Sequence, residues 1–126
     1  MPFEIEYNEV DGVISTVYTP PFSLAQAMKA VVRNLQMQKS TGCLLFIGDA
    51  TALPTGDLAD AHRLAMAVEI AGFDRRSREA MIILPSAHGH RGMEFYETVT
   101  TNRGMQVRVF TNRSEALDWL HDTSAD

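Results

Sequence analysis

A chain of 126 residues, 45% hydrophobic and 21% charged, is long enough to bury a core without disulfide or metal support and too apolar to stay disordered. Its formal net charge of −5 argues against a nucleic-acid binder, which needs a basic surface to neutralise phosphates. Lys29 and Lys39 are the only lysines, and the arginines are scattered apart from the cluster 75-RRSR-78, so no basic stripe emerges. Cys43 is the single cysteine, which excludes an intramolecular disulfide and any multi-cysteine metal site. The opening 1-MPFEIEYNEV-10 has neither the basic start nor the long apolar stretch of a signal peptide, and no segment approaches the ~20 apolar residues of a spanning helix. A reduced cytoplasm is the expected location, and residues 1–126 are expected to form a single domain.

Phe3, Ile5 and Tyr7 alternate with Glu4, Glu6 and Asn8, which predicts a half-buried strand. The pair Asp11-Gly12 then signals a tight turn into a second strand, 13-VISTVYT-19, giving a hairpin that Pro20-Pro21 ends. Ser23 with Gln26 three residues on forms a capping box. Behind it Leu24, Ala27, Met28, Val31, Val32 and Leu35 recur at helical spacing, predicting a helix over about 24–38. Gly42 ends that unit. The run 43-CLLFI-47 is apolar on consecutive residues, as a strand covered on both faces should be, and Cys43 reads there as a small buried hydrophobe.

The pattern then repeats. Thr55 can cap a helix over about 56–71, with Asp57 and Asp60 complementing its dipole and Leu58, Ala61, Ala65 and Val68 as its stripe. A strand follows at 80-AMIIL-84, a third helix over about 90–103 stopped by Gly104, and a last strand at 105-MQVRVF-110. Asn112 with Glu115 caps a final helix through Leu120. The order β-β-α-β-α-β-α-β-α predicts an α/β domain whose sheet is mostly parallel, with one antiparallel partner from the N-terminal hairpin.

The wording of the last third, Phe95-Tyr96-Glu97, Gly104-Met105-Gln106-Val107-Arg108-Val109-Phe110 and Glu115-Ala116-Leu117-Asp118-Trp119-Leu120, resembles the C-terminal half of the SpoIIAA-like family. These are small stand-alone bacterial proteins of the STAS/SEC14-like superfamily. The resemblance implies a SpoIIAA-like (STAS-like) α/β fold and a regulatory or ligand-binding role. In anti-sigma antagonists of the wider superfamily a serine is phosphorylated in a turn that opens the second helix. The matching turn here is 54-PTGDL-58, which puts Thr55 at the phosphoacceptor position and Pro54 where an aspartate is expected. A phosphate on Thr55 would lie at a helix N-terminus; the competing role for Thr55 is a plain N-cap.

In a parallel sheet the strand carboxyl ends face one edge, where α/β proteins place ligands. Three connections should meet there, bringing Asp49, Thr51, Thr55, Ser86, His88, His90, Arg91 and Arg113. Asp49, Thr51, His88, His90, Arg91 and Arg113 are the candidate ligand-binding residues, suited to a small anionic or lipid-like molecule. The alternative is that Gly89 and Gly92 relax a loop whose polar side chains face water. An H-x-H metal site would need a third ligand such as Asp49 or His62, so no metal and no cofactor is expected. For catalysis, His88 with Asp49 is the only acid–base pair, and neither Ser86 nor Thr51 sits in a nucleophile elbow. The favoured reading is a non-catalytic regulatory or binding module acting through a protein partner. A carrier or sensor of an anionic or lipid-like ligand comes second and a small hydrolase third. The hairpin's edge strand leaves a homodimer open, 75-RRSR-78 reads as a solvated turn on the opposite edge, and Trp119 as a residue packed on the sheet.

Overall fold

The structure, a computed structural model, describes residues 3–21, 23–52, 58–84 and 105–122, with 58–62 given by their backbone. The elements are β1 (Phe3–Asn8), β2 (Val13–Tyr18), α1 (Leu24–Thr41), β3 (Leu45–Asp49), α2 (Leu58–Ala71), β4 (Arg78–Ile82), β5 (Gln106–Phe110) and α3 (Arg113–Leu120). The expected helix over 90–103 and the Thr55 cap lie outside the described residues.

The five strands form one mixed sheet in the order β1-β2-β3-β4-β5. β1 runs antiparallel to β2, and every other neighbouring pair is parallel. The architecture is therefore α/β, with the hairpin supplying the antiparallel strand. Four residues, not two, separate the hairpin strands. Asn8 closes the turn, its side-chain oxygen accepting the Asp11 N–H at 3.0 Å while its carbonyl accepts the Gly12 N–H at 2.8 Å. Gly12 takes the left-handed conformation at φ 68°, which a side chain would strain.

The two crossover helices among the described residues, α1 and α2, lie on one face of the sheet. Ile14, Phe46 and Val107 point there and join Ala65 and Val68 of α2, with Val31 and Met37 of α1 packed against them. Phe73 meets Phe46 edge-on at a centroid distance of 5.4 Å. The other face carries Val13, Ile47, Ala80 and Ile82, covered by Ala116 and Leu120 of α3. The helix ends follow local chemistry. Ser23 Oγ accepts the Gln26 N–H, Gly42 closes α1 at φ 73°, and Asn112 Oδ1 accepts the Glu115 N–H.

The buried side of α1 differs from the apolar stripe. Its buried residues are Ala27, Ala30, Asn34 and Gln38, whereas Leu24, Met28, Val31 and Leu35 are only half-buried and Val32 is 53% exposed. Small side chains let the helix approach the sheet closely, and the two polar ones are tolerated because each finds a partner. Thr16 Oγ1 donates to Asn34 Oδ1 at 3.2 Å, and Asn34 donates to the Ala30 carbonyl. Gln38 donates to Ser77 Oγ at 2.8 Å and accepts the Asp74 N–H at 3.1 Å. It thereby ties the turn before β4 to the end of α1.

Candidate functional site

At the carboxyl edge of the sheet, β3 ends in Asp49 and the chain turns at once. Asp49 Oδ1 accepts both the backbone N–H of Thr51 at 3.0 Å and its hydroxyl at 2.6 Å. The fold thus brings these two candidate residues together, as an acceptor that closes its own turn. Ser86, His88, His90, Arg91 and Thr55 lie outside the described residues, as does the side chain of His62. Arg113, which opens α3, reaches the hairpin instead: its guanidinium pairs with Asp11 at 3.1 Å. The strand order never reverses among the described strands, so they form none of the switch-point crevices that reversal opens in doubly wound sheets.

Just inside this edge, on the face of α1 and α2, lies a polar strip that a scan for motifs does not single out. Tyr18, Gly48 and Met81 sit side by side, so that a Cβ on Gly48 would fall 2.8 Å from Met81 Sδ and 3.3 Å from a Tyr18 ring carbon. Burial of the phenol pushes the Tyr18 pKa well above its ordinary value. The Glu79 carboxylate adds to that shift, and a hydrogen bond with Thr16 partly offsets it. The signal available in the sequence was the alternation Ile14, Thr16, Tyr18, which puts two hydroxyls on the helix-covered face.

The amino edge holds a cleft of about 680 Å³, formed where the hairpin, the α1–β3 junction, the start of β4, the start of β5 and the end of α3 meet. The cluster 75-RRSR-78 supplies one wall. It is only half a solvated turn: Ser77 is fully buried and Arg78 is 7% exposed. Arg78 donates to the carbonyls of Trp119 at 3.1 Å and Asp122 at 2.8 Å, and its guanidinium lies 5.6 Å from the Trp119 ring centroid. A buried cation at a helix C-terminus offsets the negative end of the dipole and satisfies the last carbonyls. Trp119 itself packs on Phe110 against the sheet, at a centroid distance of 5.7 Å. Arg76 and Asp74 form a two-bonded pair at 3.1 and 2.9 Å, and the hydrogen bonds from Arg76 hold the Asp74 carboxyl at about 2. Cys43 is half-buried on the same cleft, its Sγ 3.4 Å from the Gly12 and Leu45 carbonyls.

Among the described residues no group of three or more His, Cys, Asp or Glu side chains is placed to hold a metal ion, and no helix is long and apolar enough to cross a membrane. Compared with known proteins, the chain matches no family model, no curated protein and no solved structure.

Proposed function

We propose that the protein is a non-catalytic binding module of SpoIIAA-like (STAS-like) type that acts through a protein partner at the carboxyl edge of its strands. The observation that carries this reading is the state of Asp49. Its Oδ1 accepts both the N–H and the hydroxyl of Thr51, a turn-closing role that accounts for the residue without a catalytic histidine, so the His88–Asp49 hydrolase ranks last. The same geometry ranks the anion carrier second. Thr51 donates its hydroxyl inward and Arg113 is paired with Asp11, so the donors for an anionic or lipid-like ligand at this edge would have to come from His88, His90 and Arg91. A phosphate on Thr55 would add negative charge to the connection that follows β3 and is the natural switch for such docking.

The test is affinity purification of the tagged protein from its native cells beside a His88→Ala/Arg91→Ala variant, each followed by native and denatured mass spectrometry. The expected result is one protein recovered in near-equimolar amount with the unaltered chain and lost with the variant, whose circular dichroism is unchanged. Recovery of a lone chain carrying a non-covalent adduct would overturn the partner reading in favour of the carrier. A phosphate mass surviving denaturation and mapping to Thr55 would identify the switch.

A further inference from the structure

The amino-edge cleft is the feature that the proposed docking edge does not use. Its size lies within the roughly 300–1,000 Å³ that small-molecule sites occupy. What decides its chemistry is which of its polar groups already have partners.

Several acceptors around the cleft are taken. At the end of α1, the Gln38 carbonyl accepts the Gly42 N–H at 2.7 Å, and the Met37 carbonyl accepts the hydroxyls of Ser40 and Thr41. At the end of α3, Arg78 covers the Trp119 and Asp122 carbonyls. The Asp11 carboxylate holds Arg113 and the Asn8 amide, and the Asp11 carbonyl lies 2.7 Å from His121 Nε2. The negative ends of both helices are thus answered in part before any ligand arrives, most directly by the Arg78 cation at the end of α3.

The donors are not. Arg75, the Tyr7 hydroxyl and the Gln106 side chain all line the cleft, and none makes a hydrogen bond or ion pair among the described residues. Arg76 adds a guanidinium that is 76% exposed; its Nε and Nη2 pair with Asp74, and Nη1 stands outside that pair. Two guanidinium groups on consecutive residues, Arg75 free and Arg76 with Nη1 outside its ion pair, suit a carboxylate or phosphate.

We propose that this cleft is a binding site for a small organic oxyanion, whose phosphate or carboxylate head is held by Arg75 and Arg76 and seconded by Gln106 and Tyr7. The site stands apart from the carboxyl edge and does not depend on the partner reading.

The experiment is a titration of the isotope-labelled protein with sodium phosphate, and separately with sodium citrate, against sodium chloride at matched ionic strength. Backbone and side-chain amide shifts are followed by NMR. The expected result is saturable shifts at Arg75, Arg76, Gln106 and His121 that chloride does not reproduce. Arg75→Gln should weaken the response about tenfold or more, while Lys29→Gln, which removes an exposed charge outside the cleft, leaves it unchanged. Tighter binding of phosphate assigns a phosphate ester as ligand, and tighter binding of citrate assigns a polycarboxylate. Linear shifts equal to those of chloride, or saturable shifts indifferent to Arg75→Gln, overturn the proposal. The His88→Ala/Arg91→Ala variant should bind phosphate as the unaltered chain does, which separates this site from the docking edge.

Discussion

Gln38→Leu tests whether the polar contacts under α1 hold the fold or merely fit it. The substitution keeps most of the side-chain volume at a position 7% exposed and deletes three hydrogen bonds, to Ser77 Oγ at 2.8 Å, the Cys43 carbonyl at 3.3 Å and the Asp74 N–H at 3.1 Å. The short bond to fully buried Ser77 should count most, because its hydroxyl loses a partner where water does not reach. The Asp74 N–H lies on a partly exposed turn and can recover a water, and the Cys43 bond is long. At about 1 kcal/mol net for each good bond, more where a buried group is orphaned, less the gain from burying leucine, the loss should be about 2 kcal/mol. A chain of this length unfolds with an entropy of about 0.26 kcal/mol/K, so the melting temperature should fall by roughly 8 °C. Urea and thermal unfolding followed by circular dichroism measure both. A double-mutant cycle with Ser77→Ala should show a coupling of about 1 kcal/mol. A Gln38→Leu variant as stable as the unaltered chain, or strictly additive effects in the cycle, would refute the claim that this latch stabilises the turn before β4.

Gly48→Ala should cost about 1–2 kcal/mol, since its Cβ would press on Met81 Sδ at 2.8 Å and on the Tyr18 ring, with the flexible methionine absorbing part of the overlap; Met81→Ala in the same background should recover some of the loss in a urea titration. Asp74, held at about 2 by Arg76, contributes stability that is complete above the ordinary carboxylate value and disappears as pH falls from about 4 through 2. Carbon-detected NMR of its carboxyl should place the midpoint near 2, and Asp74→Asn should flatten that part of the stability profile. Tyr18, whose phenol is pushed up by burial and by Glu79, should stay protonated when an ordinary tyrosine ionises. Folding stability should therefore decline as pH rises past about 10, the value at which the unfolded chain ionises. Ultraviolet titration should show one tyrosine lagging, and Tyr18→Phe should remove the lag.

The placement of the two edges has a common electrostatic origin. Parallel strands joined by crossover helices put helix N-termini at one edge and C-termini at the other. Among the described residues, the arginines at 75, 76 and 78 gather at the C-terminal edge, where the dipoles favour cations. Arg78 answers the end of α3, and the remaining positive charge faces the cleft. On β1 the outward Glu4 and Glu6 are exposed, and an antiparallel pairing of this edge with a second copy would bring like charges together, a device that discourages edge-to-edge association.

The elements were legible because their causes are local. Alternation marked β1, Ser23 and Asn112 marked the starts of α1 and α3, and Gly42 marked the end of α1, each within a few residues of the group it satisfies. Strand boundaries slipped by up to two residues, β3 beginning at Leu45 and β4 at Arg78, since ladder pairing is set by the neighbour and not by the run of apolar residues. Asp49 with Thr51 was also readable, two residues apart. What the sequence could not announce were the contacts between distant segments. Asn34 meets Thr16 across 18 residues, Gln38 meets Ser77 across 39, and Arg113 meets Asp11 across 102. The last two turned Ser77, read as part of a solvated turn, and Arg113, read as ligand-binding, into fasteners. The face that α1 buries, and the edge at which donors are left without partners, were decided only when the sheet closed, because burial and pairing belong to the assembled surface and not to any stretch of chain.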